Sequence, residues 1–296
     1  MVSAPLESIL AQLPVVVVDG ITFGLQLALI AVGITMIFGQ AHILNISHGE
    51  FAVIASVSAA LLIPSIGVVP AVLAGVALAT VFGAFAYKVI LLPAFRMSGE
   101  QRILLGLFIT LGLYLLLHGF FTNQFPTTYL SLRPEVQTVV FLGQPFRFSP
   151  LLAAGASLGL LALLAVFLKF TLMGKAIRAV SQNELGAQIS GLSVDKMRLT
   201  TFMIGGALAG SAGIMRGLAA TIGPESGIEM TVLALLISVV GGVRSVPGTV
   251  VAGLLLGVVY MVASFIVGTY MAVVIMLVAT ILTLLVRPQG ILGERD

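Results

Sequence analysis

Two polar runs interrupt an otherwise apolar chain, and they hold most of the residues that could do chemistry. The first is Phe38-Gly39-Gln40-Ala41-His42-Ile43-Leu44-Asn45-Ile46-Ser47-His48-Gly49-Glu50, and the second is Gly241-Gly242-Val243-Arg244-Ser245-Val246-Pro247-Gly248. Ionisable groups at membrane depth are costly unless they face protein or water. A helix broken in lipid also leaves backbone groups that need partners. Two such breaks in the two halves of a chain point to a solute pathway. Asn45, Ser47, His48 and Glu50 are therefore candidates in the first run, and Gly241, Gly242 and Ser245 in the second. His48 and Glu50 are expected as a buried pair that fastens the turn, with lining the pathway as the functional alternative. A metal site from His42, His48 and Glu50 does not fit, because the spacing matches no zinc helix such as H-E-x-x-H.

A third candidate is Arg216, a lone cation between Met215 and Gly217. It is expected to snorkel outward or to pair with Glu225 or Glu229, and contact with a substrate carboxylate is the sharper alternative. A fourth is the polar stretch 169–198. Its run 174–180 reads as a short amphipathic helix, with Ile177 and Val180 on one side and Lys175 and Arg178 turned away. A second helix is expected after Asn183 as N-cap, with Glu184 complementing the dipole, Gly191 as C-cap, and Ser193 capping the next membrane helix. This stretch is either a snorkelling positive connector or a docking element that presents Leu185, Ile189 and Leu192 to a partner's groove.

The elements that position these residues can be read from composition. Of 296 residues, 8% are charged and 59% apolar, against roughly 25% charged for a soluble domain. A water-soluble fold is excluded. The net charge of +3 is small and dispersed, which excludes nucleic-acid binding. With no Cys there are no disulfides or thiolate sites, and only three His remain for metal chemistry. No cofactor or metal is expected.

A hydrocarbon core of about 30 Å needs about 20 helical residues. Residues 20–49, 51–87, 103–132 and 245–286 carry no Asp, Glu, Lys or Arg. The expected segments are 15–38, 51–64, 66–92, 103–122, 150–168, 199–221, 228–242, 249–266 and 270–286, of which 51–64 and 228–242 look like partial spans. The fold class is all-α and polytopic, with about eight or nine crossing or partial helices. The first segment lacks the positive flank of a cleaved signal, since no Lys or Arg precedes Lys88. Eleven of the 14 cations fall on one side (Lys88, Arg96, Arg102, Lys169, Lys175, Arg178, Lys196, Arg198, Arg244, Arg287 and Arg295), which makes that side cytoplasmic. Arg133 and Arg147 lie in the loop 122–149, expected outside. Small-xxx-small pairs at Gly206/Gly210, Ala209/Gly213 and Gly253/Gly257 read as close helix packing, or as a subunit interface. No P-loop and no hydrolase signature is present.

In order along the chain, these residues resemble one family. Residues 27–39 (LALIAVGITMIFG) and 45–51 (NISHGEF) resemble the first signature of the branched-chain amino acid permeases of ABC importers. MGKAIRA at 173–179 and GLSVD at 191–195 resemble its coupling segment. GGVRSVPG at 241–248 resembles its second turn, and RPQGILG at 287–293 its C-terminal motif. The closer type is the shorter, LivH-like subunit. Three departures stand out: Leu185-Gly186-Ala187 where the family has Glu-Ala-Ala, Arg244 in the turn, and Arg216 where the family is apolar.

The resemblance implies one permease domain over 1–296 in a bacterial or archaeal inner membrane, performing no covalent chemistry. Its partners would be a second homologous permease subunit, two cytoplasmic ATPase subunits, an extracytoplasmic solute-binding protein and membrane lipid. ATPase coupling would fall on 169–198, through Gly174, Lys175, Arg178, Glu184, Gly191 and Asp195. The cargo would be branched-chain or other neutral amino acids, with urea or short amides as an alternative. From a different class, an ion-coupled carrier or an intramembrane enzyme using His48 and Glu50 would work without ATPases.

Overall fold

The computed structural model describes residues 6–132, 139–141, 144–146 and 148–293. Arg133, Arg147 and Arg295 lie outside the described residues, as does part of the loop 122–149. The chain folds as α1 (Leu6–Ala41), α2 (His48–Ile66), α3 (Val68–Phe85), α4 (Leu92–Phe95) and α5 (Gly99–Gln124). A hairpin of β1 (Val139–Phe141) and β2 (Gln144–Phe146) precedes α6 (Phe148–Phe170). The inner loop carries α7 (Leu172–Gln182) and α8 (Glu184–Ile189). After it come α9 (Val194–Ala219), α10 (Ser226–Gly241), α11 (Val246–Val267) and α12 (Thr269–Val286).

Eight of these helices are long and apolar enough to cross a membrane, and α10 is a shorter apolar ninth among the described residues. Two expectations are corrected. The segment 51–64, expected as a partial span, is a full 19-residue helix. It gains its first turn from His48, Gly49 and Glu50, polar residues that a hydropathy reading assigns to a loop. The first interruption accordingly shrinks to 42–47, because Phe38 to Ala41 continue α1. Segment 228–242 does stay short, at 16 residues, or about 24 Å of helix.

Helix α1 is the hub. Leu27, Ala28, Leu29, Ile30, Ala31 and Val32 are all fully buried, as befits a helix apolar on every side. It packs on α11 and α9 and also touches α10 and α6. Gly20 and Gly24 of α1 meet Gly253 and Gly257 of α11 so closely that a Cβ on any of them would strike the opposite helix. Likewise Gly206 lies on the Ala79 backbone and Gly213 on that of Ala52. The small-residue rows therefore serve internal packing, by letting backbones approach where lipid supplies no hydrophobic drive. Conversely, α3, α5, α6 and α12 expose Leu73, Phe108, Leu163 and Leu285, apolar side chains suited to lipid or to another membrane chain.

Contacts also fix which end of each helix lies on which side. The Gln40 amide, at the end of α1, donates to the Ile177 carbonyl of α7 at 3.0 Å. On α1, 17 residues before Gln40, Phe23 meets Arg216 near the end of α9. On the opposite side from the inner loop, Leu130 pairs antiparallel with Ile222, which staples the α5–α6 loop to the α9–α10 connection. We call the end that holds the cation-rich loop and the C-terminal ends of α1 and α12 the inner end, as the positive-inside rule would have it, and the opposite end the outer.

Candidate functional site

The first break is held by side chains. His42 turns the chain with φ 50°, a left-handed conformation uncommon for a residue with a Cβ. Asn45 Oδ1 accepts from both the Ser47 N–H (3.1 Å) and the Ser47 hydroxyl (2.7 Å). Such local Asn bonds compete with helix and stop it. From α5, the Thr110 hydroxyl donates to the Leu44 carbonyl at 3.1 Å and accepts from the Ile46 N–H at 3.2 Å. From α10, Thr231 Oγ1 accepts from the Gly49 N–H at 2.8 Å. Thr110, Thr231, Asn45 and Ser47 are all buried, so the freed backbone groups find protein rather than lipid.

His48 and Glu50 do not fasten this turn, contrary to expectation. Both are fully buried, and neither ring nitrogen of His48 nor either Glu50 oxygen has a hydrogen-bond partner among the described residues. His48 packs against the Phe51 ring at 5.2 Å, and Glu50 Oε1 lies 3.9 Å from His118 Nδ1 of α5. Gly33 and Gly227 leave room for these two side chains: a Cβ at Gly33 would meet His48, and one at Gly227 the Glu50 carboxylate. Among the described residues no group of three His, Cys, Asp or Glu could hold a metal.

The second break is made by backbone, at the inner end. Gly242 has φ 104°, and the Ser245 N–H donates to its carbonyl at 2.8 Å. Ser245 then caps α11, its hydroxyl accepting from the Gly248 N–H, with Pro in the first turn. Beyond α12 the chain folds back: the Ile291 N–H donates to the Val240 carbonyl at 2.8 Å and the Leu292 N–H to that of Gly241 at 3.4 Å. One turn inside, Thr35 of α1 shares hydroxyl hydrogen bonds with Ser238 (2.7 Å) and Thr249 (2.8 Å). His42 of the first break lies within electrostatic reach of Arg244, and its imidazole pKa is lowered, chiefly by burial and next by Arg244 and Arg102.

The inner loop has both expected helices. Thr171 caps α7, accepting from the Gly174 N–H at 2.9 Å, and Gly174 itself sits against the Phe167 and Leu168 backbone. Ile177 and Val180 are buried while Lys175 and Arg178 face out. Asn183 caps α8, accepting from the Gly186 N–H. Gly191, with φ 81°, ends it as the Leu192 N–H donates to the Ala187 carbonyl. Ser193 caps α9. Leu185 and Ile189 are exposed, but Leu192 turns inward against the core, which removes it from the proposed docking trio.

Arg198 is the residue that sequence reasoning missed. Counted only as an inner cation, it is 7% exposed. Its Nη2 donates to Glu184 Oε2 at 2.7 Å, its Nε donates to the Gln40 carbonyl at 3.2 Å, and it stacks on the Phe95 ring at 5.0 Å. Arg102 lies 3.7 Å from the same Glu184 oxygen. Asp195 instead accepts from the Tyr87 hydroxyl at 2.7 Å. The available signal was periodicity, since Val194, Met197, Arg198 and Thr201 repeat at helical spacing on one buried face.

Arg216 sits apart from both breaks. Its guanidinium stacks on Phe23 at 4.9 Å, and neither Glu225 nor Glu229 closes to an ion pair with it. Three sets of expected pathway residues thus occupy three places: His48 and Glu50 within the helix bundle, Gly241, Gly242 and Ser245 at the inner end, and Arg216 in a cleft at the outer end.

Crossing helices, a side-chain-held break between two of them, and an ordered loop wired to that break are the build of a membrane transport subunit. The profile described as branched-chain amino acid transport system / permease component matches residues 16–286, and the chain belongs to that family. The high-affinity branched-chain amino acid transport system permease protein LivH of Escherichia coli (strain K12) is 29% identical over 94% of both chains. The probable branched-chain amino acid transport permease protein LivH of Methanocaldococcus jannaschii is 28% identical over 90% of this chain and 88% of its own. PsaBC from Streptococcus pneumoniae in complex with Fab matches 92% of this chain and 91% of its own at 11% identity and a TM-score of 0.49, too distant to bear on the fold. The chain is a multi-pass inner-membrane permease.

Proposed function

We propose that this chain is one permease half of a binding-protein-dependent ABC importer that moves branched-chain amino acids by ATP-driven alternating access. It would work with a second homologous permease, two cytoplasmic ATPases and an extracytoplasmic binding protein. The substrate class is taken from the named relatives. The observation that carries the coupling is the chain of contacts from the exposed α8 to the end of α1. Glu184 of α8 holds Arg198, Arg198 holds the Gln40 carbonyl, and Gln40 holds the Ile177 carbonyl of α7. A push on Leu185 and Ile189 by a closing ATPase therefore has a rigid route to the first break, two residues beyond Gln40. Lys175 and Arg178, exposed on α7, would meet the ATPase surface; Gly174, Gly191 and Asp195 shape the loop that presents it.

Proteoliposome uptake tests both parts. Leucine accumulation is expected only with all partners and ATP present, and uptake by this chain alone under an ion gradient would overturn the reading. Arg198→Met should lower uptake about tenfold, and stimulated ATPase activity with it, while Arg198→Lys keeps part of both. Normal coupling in Arg198→Met would remove the proposed route.

A further inference from the structure

We propose that the outer cleft at Arg216 is a binding station for a free α-amino acid, in which the guanidinium takes the carboxylate. The proposal deepens the importer reading and rests on it for the identity of the solute.

The cleft is a space of about 450 Å³ between α1, α6, α9 and α11, within the range of roughly 300–1,000 Å³ typical of small-molecule sites. Arg216 lies at its junction with a recess of about 90 Å³ that Glu229 also lines. A planar guanidinium is the side chain best matched to a carboxylate, which it can grip through two parallel N–H donors. Here it is backed by the Phe23 ring, which fixes the plane of the fork.

A second, independent observation points the same way. Gln26 of α1 lines the cleft, is 1% exposed, and has no hydrogen-bond partner for either its amide nitrogen or its amide oxygen among the described residues. A buried amide left unpaired has lost its water without replacement, which is unfavourable. A solute that offers both an acceptor and a donor would remove that cost. The α-carboxylate accepts, the α-ammonium donates, and Gln26 can serve either. Glu229 on the recess side, where it accepts from the Tyr260 hydroxyl at 3.3 Å, supplies negative charge for the ammonium. Val15, Phe23 and Met261 give apolar walls for an aliphatic side chain. One polar end and one apolar end in a single cleft suit a zwitterion with a hydrocarbon side chain better than a simple anion.

Equilibrium binding of labelled leucine tests this, using the assembled importer without its binding protein in nanodiscs of zwitterionic lipid. Saturable binding is expected, with isoamylamine (no carboxylate) and 4-methylvalerate (no ammonium) competing at least tenfold more weakly than leucine. Arg216→Met and Gln26→Leu should each weaken leucine at least tenfold, and Arg216→Lys should recover part of the loss. Gln26→Met, close in length and without polar atoms, guards against a packing defect peculiar to Gln26→Leu and should weaken leucine to the same degree. No saturable binding by the wild type, or unchanged affinity in Arg216→Met and Gln26→Leu, overturns the proposal. So does displacement of leucine by added phosphatidylglycerol at stoichiometric levels, which would make the cleft a lipid-headgroup site. ATP-driven uptake by the same variants, reconstituted into proteoliposomes with all partners including the binding protein, separates the two readings. Uptake that is the same in the variants as in the wild type removes the cleft and keeps the importer, while leucine binding without any ATP-driven uptake does the reverse.

Discussion

The two helix breaks solve one problem by opposite means. At 42–47 a non-glycine residue takes the left-handed turn, and side chains from two other helices, Thr110 and Thr231, supply the missing bonds. At the α10–α11 junction a glycine turns the chain, and backbone bonds from the residues after α12 close it. Depth explains the difference. The first break starts at half-buried His42 and runs inward to Asn45 and Ser47, fully buried beside Thr110, where lost partners are not replaced by water. The second lies at the inner end, beside exposed Arg244 and Arg287, where water can. A turn held by a few side chains from several neighbouring helices shifts whenever any of them shifts, whereas the second is tied through backbone to one short segment, 291–292, and moves as one piece with it. The first break is therefore the one suited to follow motion.

The sharpest way to break this comparison is Thr110→Val. It leaves the Leu44 carbonyl and the Ile46 N–H without the buried Thr110 hydroxyl, at about 2–4 kcal/mol for the two groups. Purified protein should melt well below wild type and uptake should fall more than tenfold, with Thr110→Ser close to normal. If the valine variant melts normally, the first break is not side-chain-held.

Gly242→Ala should do less. A Cβ at φ 104° and ψ 116° costs about 1–3 kcal/mol and would press on Gln289 and Gly293, but it removes no hydrogen-bonding group. A modest melting shift with uptake within about threefold is expected; a loss as large as that of Thr110→Val would erase the distinction.

The smallest effect concerns pH. His42 has its pKa lowered in the fold, so the unfolded chain binds a proton there before the folded chain does. Its contribution to stability is present above the unfolded value of about 6.5 and is lost as pH falls below it. His42→Gln should flatten the melting temperature between pH 7 and 5 relative to wild type. An unchanged slope would show that the cations around the first break do not bear on this imidazole.

Much of this was legible along the chain. Caps at Asn183 and Ser193 are local bonds between residues close in sequence, and the structure has both. Runs free of charge gave the spans, because lipid penalises any lone charge regardless of what packs nearby. His48 and Glu50 were legible as buried but not in their roles, since whether two polar side chains bond depends on angles set by α2 against α5 and α10. Thr110 and Gln26 were invisible for the same reason. A single Thr or Gln in an apolar helix can bond its own helix or a distant stretch of chain, and only the neighbour decides.

What the sequence alone determined is the solvent this protein folds in, the number and rough place of its helices, and the side on which its cations gather. These come from transfer free energies and capping geometry, which are properties of short windows. Only the tertiary structure decided which break is held by side chains, that Arg198 links the inner loop to α1, and that Arg216 and Gln26 share a cleft. Each of those depends on residues far apart in the chain being brought together, and their separation is set by helix packing, where glycines at Gly24, Gly33 and Gly227 fix how close the partners come.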